Sequence, residues 1–138
     1  MIRRAGLADM DAVFDIRRVV FIEGQNVPEN EERDSLDDSA IHMIAYQNDT
    51  PVGTARLILG EHYAKIGRVA VLENMRGKGL GKAIMQASLD ELRAEGMAKV
   101  RLAAQTHALG FYKDLGFQVY GETFLDAGIL HKNMVLSL

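Results

Sequence analysis

The chain has 138 residues, of which 48% are hydrophobic and 25% are charged, so we predict one folded domain that spans residues 1–138. Its 16 basic and 19 acidic side chains nearly balance, which argues against a nucleic-acid partner. It has no cysteine, which excludes disulfides, thiolate metal sites and a cysteine acyl-enzyme, and no apolar run approaches the ~18 residues of a membrane span.

Apolar periodicity and turn residues predict a mixed succession of strands and helices. In chain order the predicted elements are strand 2–5, helix 7–21, a loop or short helix over 24–38, strands 41–47, 52–59 and 65–71, helix 79–95, strand 99–104, helix 107–115 and strands 117–120 and 129–136. The turn sequence "NDTP" at Asn48–Pro51 joins two of these strands as a hairpin. Because simple alternation of strands and helices would give a parallel sheet, the hairpin indicates an α+β (mixed α/β) domain with a central, mostly antiparallel sheet.

The stretch "RGKGLGKA" at Arg76–Ala83 lies between a predicted strand and a predicted helix. It does not fit a Walker A loop, because Arg76 replaces the first glycine and Ala83 replaces the hydroxyl residue of that motif. It does not fit a dinucleotide fingerprint, because Lys82 replaces the third glycine. What remains is the pattern R-x-x-G-x-G, which ends at Gly81.

This pattern predicts an anion site, and a pyrophosphate suits it best. The first amides of a helix have no intrahelical acceptor, and the helix dipole makes that end positive. The glycines let an anion approach the backbone closely, and Arg76, Lys78 and Lys82 supply positive charge. The alternative is a glycine-rich connection whose charges are only solvated.

At these residues the chain resembles the GNAT superfamily of acyl-coenzyme A-dependent N-acyltransferases, whose signature is R/Q-x-x-G-x-G/A between a strand and a helix. The stretch "AAQTHALGFYKDLGF" is similar to the second motif of that family. The stretches "VFIEGQNVPENEERDSLD", "HMIAY" and "FLDAGILHKNM" resemble its small ElaA-like branch, so the likeness covers nearly the whole chain. One departure is Gly24, where that branch carries glutamate before Gln25; either Glu23 replaces this glutamate or a substrate contact is lost.

The resemblance implies an N-acetyltransferase with acetyl-coenzyme A as cosubstrate and a sheet splayed between the fourth and fifth strands. It implies an amine acceptor on a small molecule or peptide, while the oligomeric state stays open between monomer and homodimer. The residues that it assigns to coenzyme A are Val69, Ala70, Val71, Arg76, Gly77, Lys78, Gly79, Leu80, Gly81, Lys82 and Gln105. Those that it assigns to the acceptor are Phe21, Glu23, Gln25, Glu32 and Glu122.

Acyl transfer from a thioester to an amine needs a proton donor for the departing thiolate and a neutral amine. Tyr112 stands where the family places the acid, and its alternative is a packing residue, because Phe111 beside it is apolar. His131 is the first candidate for the base, followed by Glu122, although a structural role is more common for such a histidine. The remaining histidines suit surface or structural positions: His42, His62 and His107. No clustered histidine pattern indicates a metal site.

The segment Glu23–Asp38 contains seven carboxylates against Arg33 alone. Such a run is usually solvated surface, but beside an acceptor groove it would form a negative wall that attracts a cationic amine. A non-catalytic acyl-coenzyme A sensor or interaction module remains the alternative to an enzyme. Because Met1–Met10 lacks the apolar stretch of a signal peptide, we expect a cytoplasmic location without a membrane partner.

Overall fold

The computed structural model describes all 138 residues and contains seven strands and four α-helices. The strands are β1 (Ile2–Arg4), β2 (Ile41–Gln47), β3 (Thr50–Leu59), β4 (Ala64–Val71), β5 (Lys99–Gln105), β6 (Gln118–Asp126) and β7 (Ile129–Ser137). The helices are α1 (Met10–Arg17), α2 (Glu29–Glu32), α3 (Leu80–Ala94) and α4 (Leu109–Asp114). One sheet contains all the strands in the order β1-β2-β3-β4-β5-β7-β6, and every pair except β4–β5 is antiparallel. The predicted mixed, mostly antiparallel class is therefore confirmed.

Strands β4 and β5 separate soon after they begin. They pair only where Ala64 faces Val100 and Lys65 faces Arg101. Beyond these pairs β4 stays bonded to β3 and β5 stays bonded to β7, so the edges that β4 and β5 turn toward each other have no strand partner. This confirms the splay that the family resemblance implied.

Helices cover both faces of the sheet. The apolar stripe of α3, which includes Ile84 and Leu92, is buried in one large core cluster with strand residues such as Leu57. A smaller cluster packs α1 against Ala70 of β4. Because neighbouring strand residues point to opposite faces, and Val71 packs against the α3 cluster, α1 and α3 lie on opposite sides of the sheet.

The first helix differs from its predicted form over residues 7–21. It opens with a 3-10 turn at Leu7–Asp9, continues as α1 and ends in a π turn at Arg18–Glu23. Such π turns occur often at functional sites, and Phe21 of this turn lines the cleft described below. The acidic segment that follows contains α2 and a 3-10 turn at Ser35–Asp38, as its loop or short-helix prediction allowed.

Two strand boundaries differ from their predicted positions by more than one residue. The hairpin turn consists of Asn48 and Asp49 alone, both left-handed as a two-residue turn requires, so Pro51 lies in β3 and not in the turn. Strand β6 was expected to end at Tyr120 but continues to Asp126. A bulge that contains Gly121, at φ = +73°, interrupts the alternation of side chains there and hides the continuation.

No helix combines the length and the apolar composition that crossing a membrane would require.

Candidate active site

A cleft of about 880 Å³ occupies the opening between β4 and β5. Its other walls come from the π turn, the segment that leads to α2, helix α4 and the β6–β7 hairpin. Among its lining residues are Phe21, Gln25, Arg56, Lys65, Arg68, Val69, Val71, Arg76, Arg101, Gln105, Tyr112 and His131. The fold thus collects at one site residues that lie more than one hundred positions apart in the sequence.

The loop Arg76–Lys82, which we call the anion loop, leads from β4 to the N-terminus of α3. Gly79 is the N-cap residue of α3 with φ = +80°, and Gly77 has φ = +77°, a region that favours glycine. A Cβ atom added at either glycine would meet no atom of the surrounding chain within 4 Å. The backbone of the loop is therefore open to an approaching anion at the end of the helix that carries free amides.

The cations of the anion loop are free. Arg76, Lys78 and Lys82 are exposed, and none of them forms an ion pair with a carboxylate. The Arg76 Nε group donates to the Val71 carbonyl at 3.0 Å, which holds this side chain at the end of β4, where it lines the cleft. Open backbone, free amides and unpaired cations together fit a pyrophosphate.

Tyr112 lies on α4 and lines the cleft with its ring half-buried. The ring packs edge-on against Phe111 at 5.0 Å and Phe117 at 6.0 Å between centroids. Burial raises the pKa of the Tyr112 hydroxyl to about 12. The hydroxyl therefore stays protonated through the physiological range and is able to donate a hydrogen bond into the cleft.

His131 lies on β7, directly opposite Gln105 of β5, and is 9% exposed. Its ring stacks on Phe124, and its Nδ1 atom lies 2.7 Å from the Ile129 carbonyl. Because a carbonyl oxygen only accepts, Nδ1 carries the hydrogen, and the neutral ring keeps its lone pair on Nε2. His131 is thus held in the tautomer that accepts a proton at Nε2.

A glutamine pair ties the segment after the π turn to β5. The Gln105 Nε2 group donates to Gln25 Oε1 at 2.8 Å, and both residues line the cleft. The structure therefore brings together one residue predicted to contact coenzyme A and one predicted to contact the acceptor.

Six charged side chains form a connected group on the α1 side of the sheet, which we call the charged network: Arg17, Glu32, Asp34, Asp37, Arg56 and Arg68. Arg17, only 1% exposed, donates from Nε to Glu32 Oε1 at 2.5 Å and from Nη1 to Asp37 Oδ1 at 2.7 Å. Arg56 donates from Nη1 to Asp34 Oδ1 at 2.7 Å and to Asp37 Oδ1 at 3.1 Å. Three arginines balance three carboxylates, so the network carries no net formal charge.

The network corrects part of the hypothesis of a negative wall, because it pairs three of the seven carboxylates in the segment with arginines from outside it. Glu31 lines the cleft and forms no ion pair, so negative charge remains on this side. Glu32 lines the cleft, but Arg17 binds both of its carboxylate oxygens, so the structure does not support its predicted role as an acceptor ligand. Glu23 pairs with Arg18 at the surface and lies outside the cleft. Glu122, next to the bulge in β6, is also exposed and outside the cleft.

The pKa values of two network residues, Asp37 and Arg68, are shifted by their neighbours in the network. Burial alone would raise the pKa of Asp37, but hydrogen bonds from Arg17, from the Asp34 amide and from Arg56 hold that pKa well below its ordinary value. Burial, helped by the nearby charges of Arg56 and Arg17, lowers the pKa of Arg68. The Asp37 carboxylate is thus kept ionised chiefly by Arg17, together with the Asp34 amide and Arg56.

Arg68 also marks a β-bulge in β4 that its sequence context does not predict. Thr54 pairs with Ala70, but Arg56 pairs with Gly67, so two residues of β4 face one residue of β3. Arg68 has φ = +49°, which is rare for a residue with a side chain. Its guanidinium donates to the carbonyls of Glu32 and Glu31 at 3.1 and 3.2 Å, which holds this conformation. Bulges bend strands, and this one lies at the splay.

The residues predicted to contact coenzyme A follow β4 into the anion loop, except Gln105, which lies on β5. Val69 and Val71 line the cleft, whereas Ala70 is buried beneath α1. Of the anion loop only Arg76 lines the cleft itself, and the remaining predicted residues continue beyond it: Gly77, Lys78, Gly79, Leu80, Gly81 and Lys82. No group of three or more histidine, aspartate or glutamate side chains is arranged to hold a metal ion.

Four basic cleft residues were not among the sequence predictions: Arg56, Lys65, Arg68 and Arg101. The signal for Arg101 is the alternation in "KVRLAAQ", which puts this arginine on the same face of β5 as Gln105. Nothing in the sequence around Arg68 indicates a bulge.

Comparison with known proteins agrees with these features. The family model of the acetyltransferase (GNAT) domain matches residues 18–138. The chain is 42% identical over 124 residues to the uncharacterized N-acetyltransferase YjcF of Bacillus subtilis, and the aligned region covers 88% of each chain. It is 31% identical over 133 residues to protein ElaA of Escherichia coli, covering 93% of this chain and 87% of ElaA.

Solved structures agree as well. The crystal structure of Escherichia coli ElaA matches with a TM-score of 0.85 and 28% identity over 98% of this chain and 99% of that chain. An acyl-CoA N-acyltransferase from Pseudomonas aeruginosa matches with a TM-score of 0.87 and 28% identity over 98% of this chain and 96% of that chain. The resemblance drawn from the sequence motifs is confirmed, and the chain belongs to the GNAT family of acetyltransferases.

Proposed function

We propose that this protein transfers an acetyl group from acetyl-coenzyme A to a primary amine in the cleft between β4 and β5. The observation that carries the proposal is the splay, because the unpaired edge of β4 leads directly from Tyr112 and His131 in the cleft to the anion loop. The names of the relatives support the same reaction, since YjcF is called an N-acetyltransferase and the Pseudomonas structure an acyl-CoA N-acyltransferase.

The donor half of the site follows from the free backbone of β4. Peptide groups near Val69 and Val71 offer hydrogen bonds to an extended pantetheine arm, as a sheet edge does to an added strand. The amides and free cations of the anion loop bind the pyrophosphate. Acetyl-coenzyme A supplies an acetyl group activated as a thioester, and the chain supplies its position.

The reaction is a direct transfer. The amine nitrogen forms a bond to the acetyl carbon while the bond from that carbon to sulfur breaks. An alkylammonium acceptor gives up two protons, one to a base and ultimately to solvent, and one that ends on the departing sulfur. Because the chain has no cysteine, a thiol-linked acyl-enzyme is not an available route.

Tyr112 acts in this scheme as a hydrogen-bond donor to the departing sulfur. Its pKa of about 12 exceeds the ordinary thiol value of about 8.5 by roughly 3.5 units, which corresponds to about 5 kcal/mol against complete proton transfer. A hydrogen bond that strengthens as charge develops on sulfur avoids this cost and still lowers the barrier.

His131 acts in this scheme as the base. Its Nε2 atom bears the free lone pair, because Nδ1 donates to the Ile129 carbonyl. The stacked Phe124 ring and the neighbouring strand hold the imidazole in place, so little reorganisation is needed when it accepts a proton. Glu122 is the weaker choice, since it lies outside the cleft.

A thiol-release assay tests the function directly. Acetyl-coenzyme A is supplied with a panel of polyamines, amino sugars, amino acids and peptides, and the expected result is amine-dependent release of coenzyme A with an N-acetylated product in the mass spectrum. Binding of coenzyme A by calorimetry without thiol release from any amine would contradict the enzyme and leave the sensor. Absence of both would contradict the site itself.

A further inference from the structure

Two cations at the closed end of the cleft have no carboxylate partner. Lys65 and Arg101 face each other in the last strand pair before β4 and β5 separate, and both line the cleft. Neither forms an ion pair with a carboxylate, and the Arg101 Nε group is buried without any hydrogen-bond partner. On the same side of the cleft, Arg56 and Arg68 both donate hydrogen bonds to Asp34. The charged network therefore leaves both cations without a carboxylate, with Lys65 exposed and Arg101 half-buried.

The free cation is held in place by aromatic rings. The Arg101 guanidinium carbon lies 4.1 Å from the ring centre of Tyr63 and 5.5 Å from that of Tyr120. Stacking of this kind restricts a long side chain without using its hydrogen-bond donors. An immobilised guanidinium with unused donors is preorganised for a planar anion, because binding the anion costs little further side-chain entropy.

This end of the cleft is not the place of the donor pyrophosphate. The anion loop follows the C-terminal end of β4, whereas Lys65 lies near the N-terminal end of the same strand. Arg101 and Gln105 share one face of β5 and lie four residues apart, which is about 13 Å along a strand. Gln105 faces His131, so along the strands these two residues lie between the two cations and the anion loop.

We propose that Lys65 and Arg101 bind an anionic group of the acceptor, so the natural acceptor is an amine that also carries a carboxylate or a phosphate at a distance of several bonds. This inference rests on the proposed acetyltransferase function and names its substrate class. The acidic segment alone suggested that the acceptor is simply a cationic amine. The network neutralises the buried part of that segment, so we now add an anionic group to the expected acceptor.

Matched acceptors test the proposal with the unaltered protein. The thiol-release assay compares ε-aminocaproate with ε-aminocaproamide, which differ only in the charge of the distal group, and O-phosphoethanolamine with ethanolamine. We expect kcat/KM to favour at least one acidic member over its neutral partner by roughly 10- to 100-fold, as charge-assisted hydrogen bonds allow. The pair that shows the preference distinguishes a carboxylate from a phosphate. Transfer to the neutral members at equal or higher kcat/KM overturns this proposal while the acetyltransferase function stands.

Variants of Lys65 and Arg101 test whether these residues cause the preference for acidic acceptors. Arg101→Met and Lys65→Gln should each reduce the ratio of kcat/KM between acidic and neutral acceptors toward one. Lys99→Gln is the matched control, since Lys99 lies two residues from Arg101 on the same face of β5 but outside the cleft, and its ratio should equal that of the wild type. Unchanged ratios in both cleft variants, with the preference present in the wild type, would overturn the assignment to these residues.

Discussion

The anion loop and the charged network are both rich in charge, but they differ in whether the charges are paired. The loop places its cations within seven consecutive residues and gives them no carboxylate partner. The network draws its six residues from different elements and balances every arginine with a carboxylate. Paired charge in the network holds the fold together, whereas the unpaired cations of the loop are available to the proposed pyrophosphate. The comparison explains why a count of acidic residues within one segment overstated the unpaired negative charge beside the cleft.

Tyr112 lines the cleft between β4 and β5, and removal of its hydroxyl should have the largest effect. Tyr112→Phe keeps the ring between Phe111 and Phe117, so the fold and coenzyme A binding should persist. Loss of a positioned proton or hydrogen-bond donor typically costs ~10²–10⁴ in rate. We expect kcat in the thiol-release assay to fall within that range with little change in the affinity for acetyl-coenzyme A.

Tyr46→Phe provides a contrast for this prediction. The Tyr46 hydroxyl donates to Asp9 at 2.7 Å in a part of the fold away from the cleft. Its removal should lower the unfolding free energy by about 1 kcal/mol and leave kcat unchanged. Wild-type turnover by Tyr112→Phe, under conditions where chemistry limits the rate, would make Tyr112 a packing residue.

The next largest effect concerns the charged network. Arg17→Met leaves the buried carboxylate of Glu32 without its cation and deprives Asp37 of one, and removing one partner of a buried pair typically costs about 3–5 kcal/mol. The neighbouring Arg18→Met removes exposed pairs with Asp15 and Glu23, for which at most about 1 kcal/mol is expected. Chemical unfolding of the two variants measures the difference, and equal stabilities would show that the network does not hold the fold.

How far the sequence predicts each region depends on how local the region is. The anion loop was predictable because strand, glycines, cations and helix start lie within one short stretch. The network was not, because Arg17 and Arg68 bind carboxylates and carbonyls that are 15 to 37 positions away, and each sits in a segment whose pattern indicates only a helix or a strand. The same limit hid the extension of β6, since Gly121 resembles a strand end when its pairing with β7 is not known.

One negative charge introduced at the N-terminal end of α3 should weaken anion binding by the anion loop. Gly79→Asp places a carboxylate beside the proposed pyrophosphate, and apposed like charges should weaken coenzyme A binding by at least roughly 100-fold. Gly96→Asp is a matched control at the other end of the helix, since both glycines have φ = +80° and open space around an added Cβ atom. Calorimetric titration with coenzyme A should give wild-type affinity for Gly96→Asp. Equal affinities in the two variants would place the pyrophosphate elsewhere.

The smallest expected effect is the acid dependence of stability, which separates the buried network from the exposed acidic residues around it. Although burial alone would raise the pKa of Asp37, the hydrogen bonds from Arg17, the Asp34 amide and Arg56 hold it well below the ordinary value of 3.8. Because the folded pKa is lower than the unfolded pKa, this stabilisation is complete above about pH 4 and is lost as the pH falls, by up to about 1.4 kcal/mol per pH unit for one proton. The unfolding free energy of Asp37→Asn should therefore fall less steeply below pH 4, while the exposed neighbour variant Asp38→Asn keeps the wild-type slope. Urea unfolding across a pH series measures the slopes, and identical slopes in the wild type and Asp37→Asn would show that the network does not keep this carboxylate ionised.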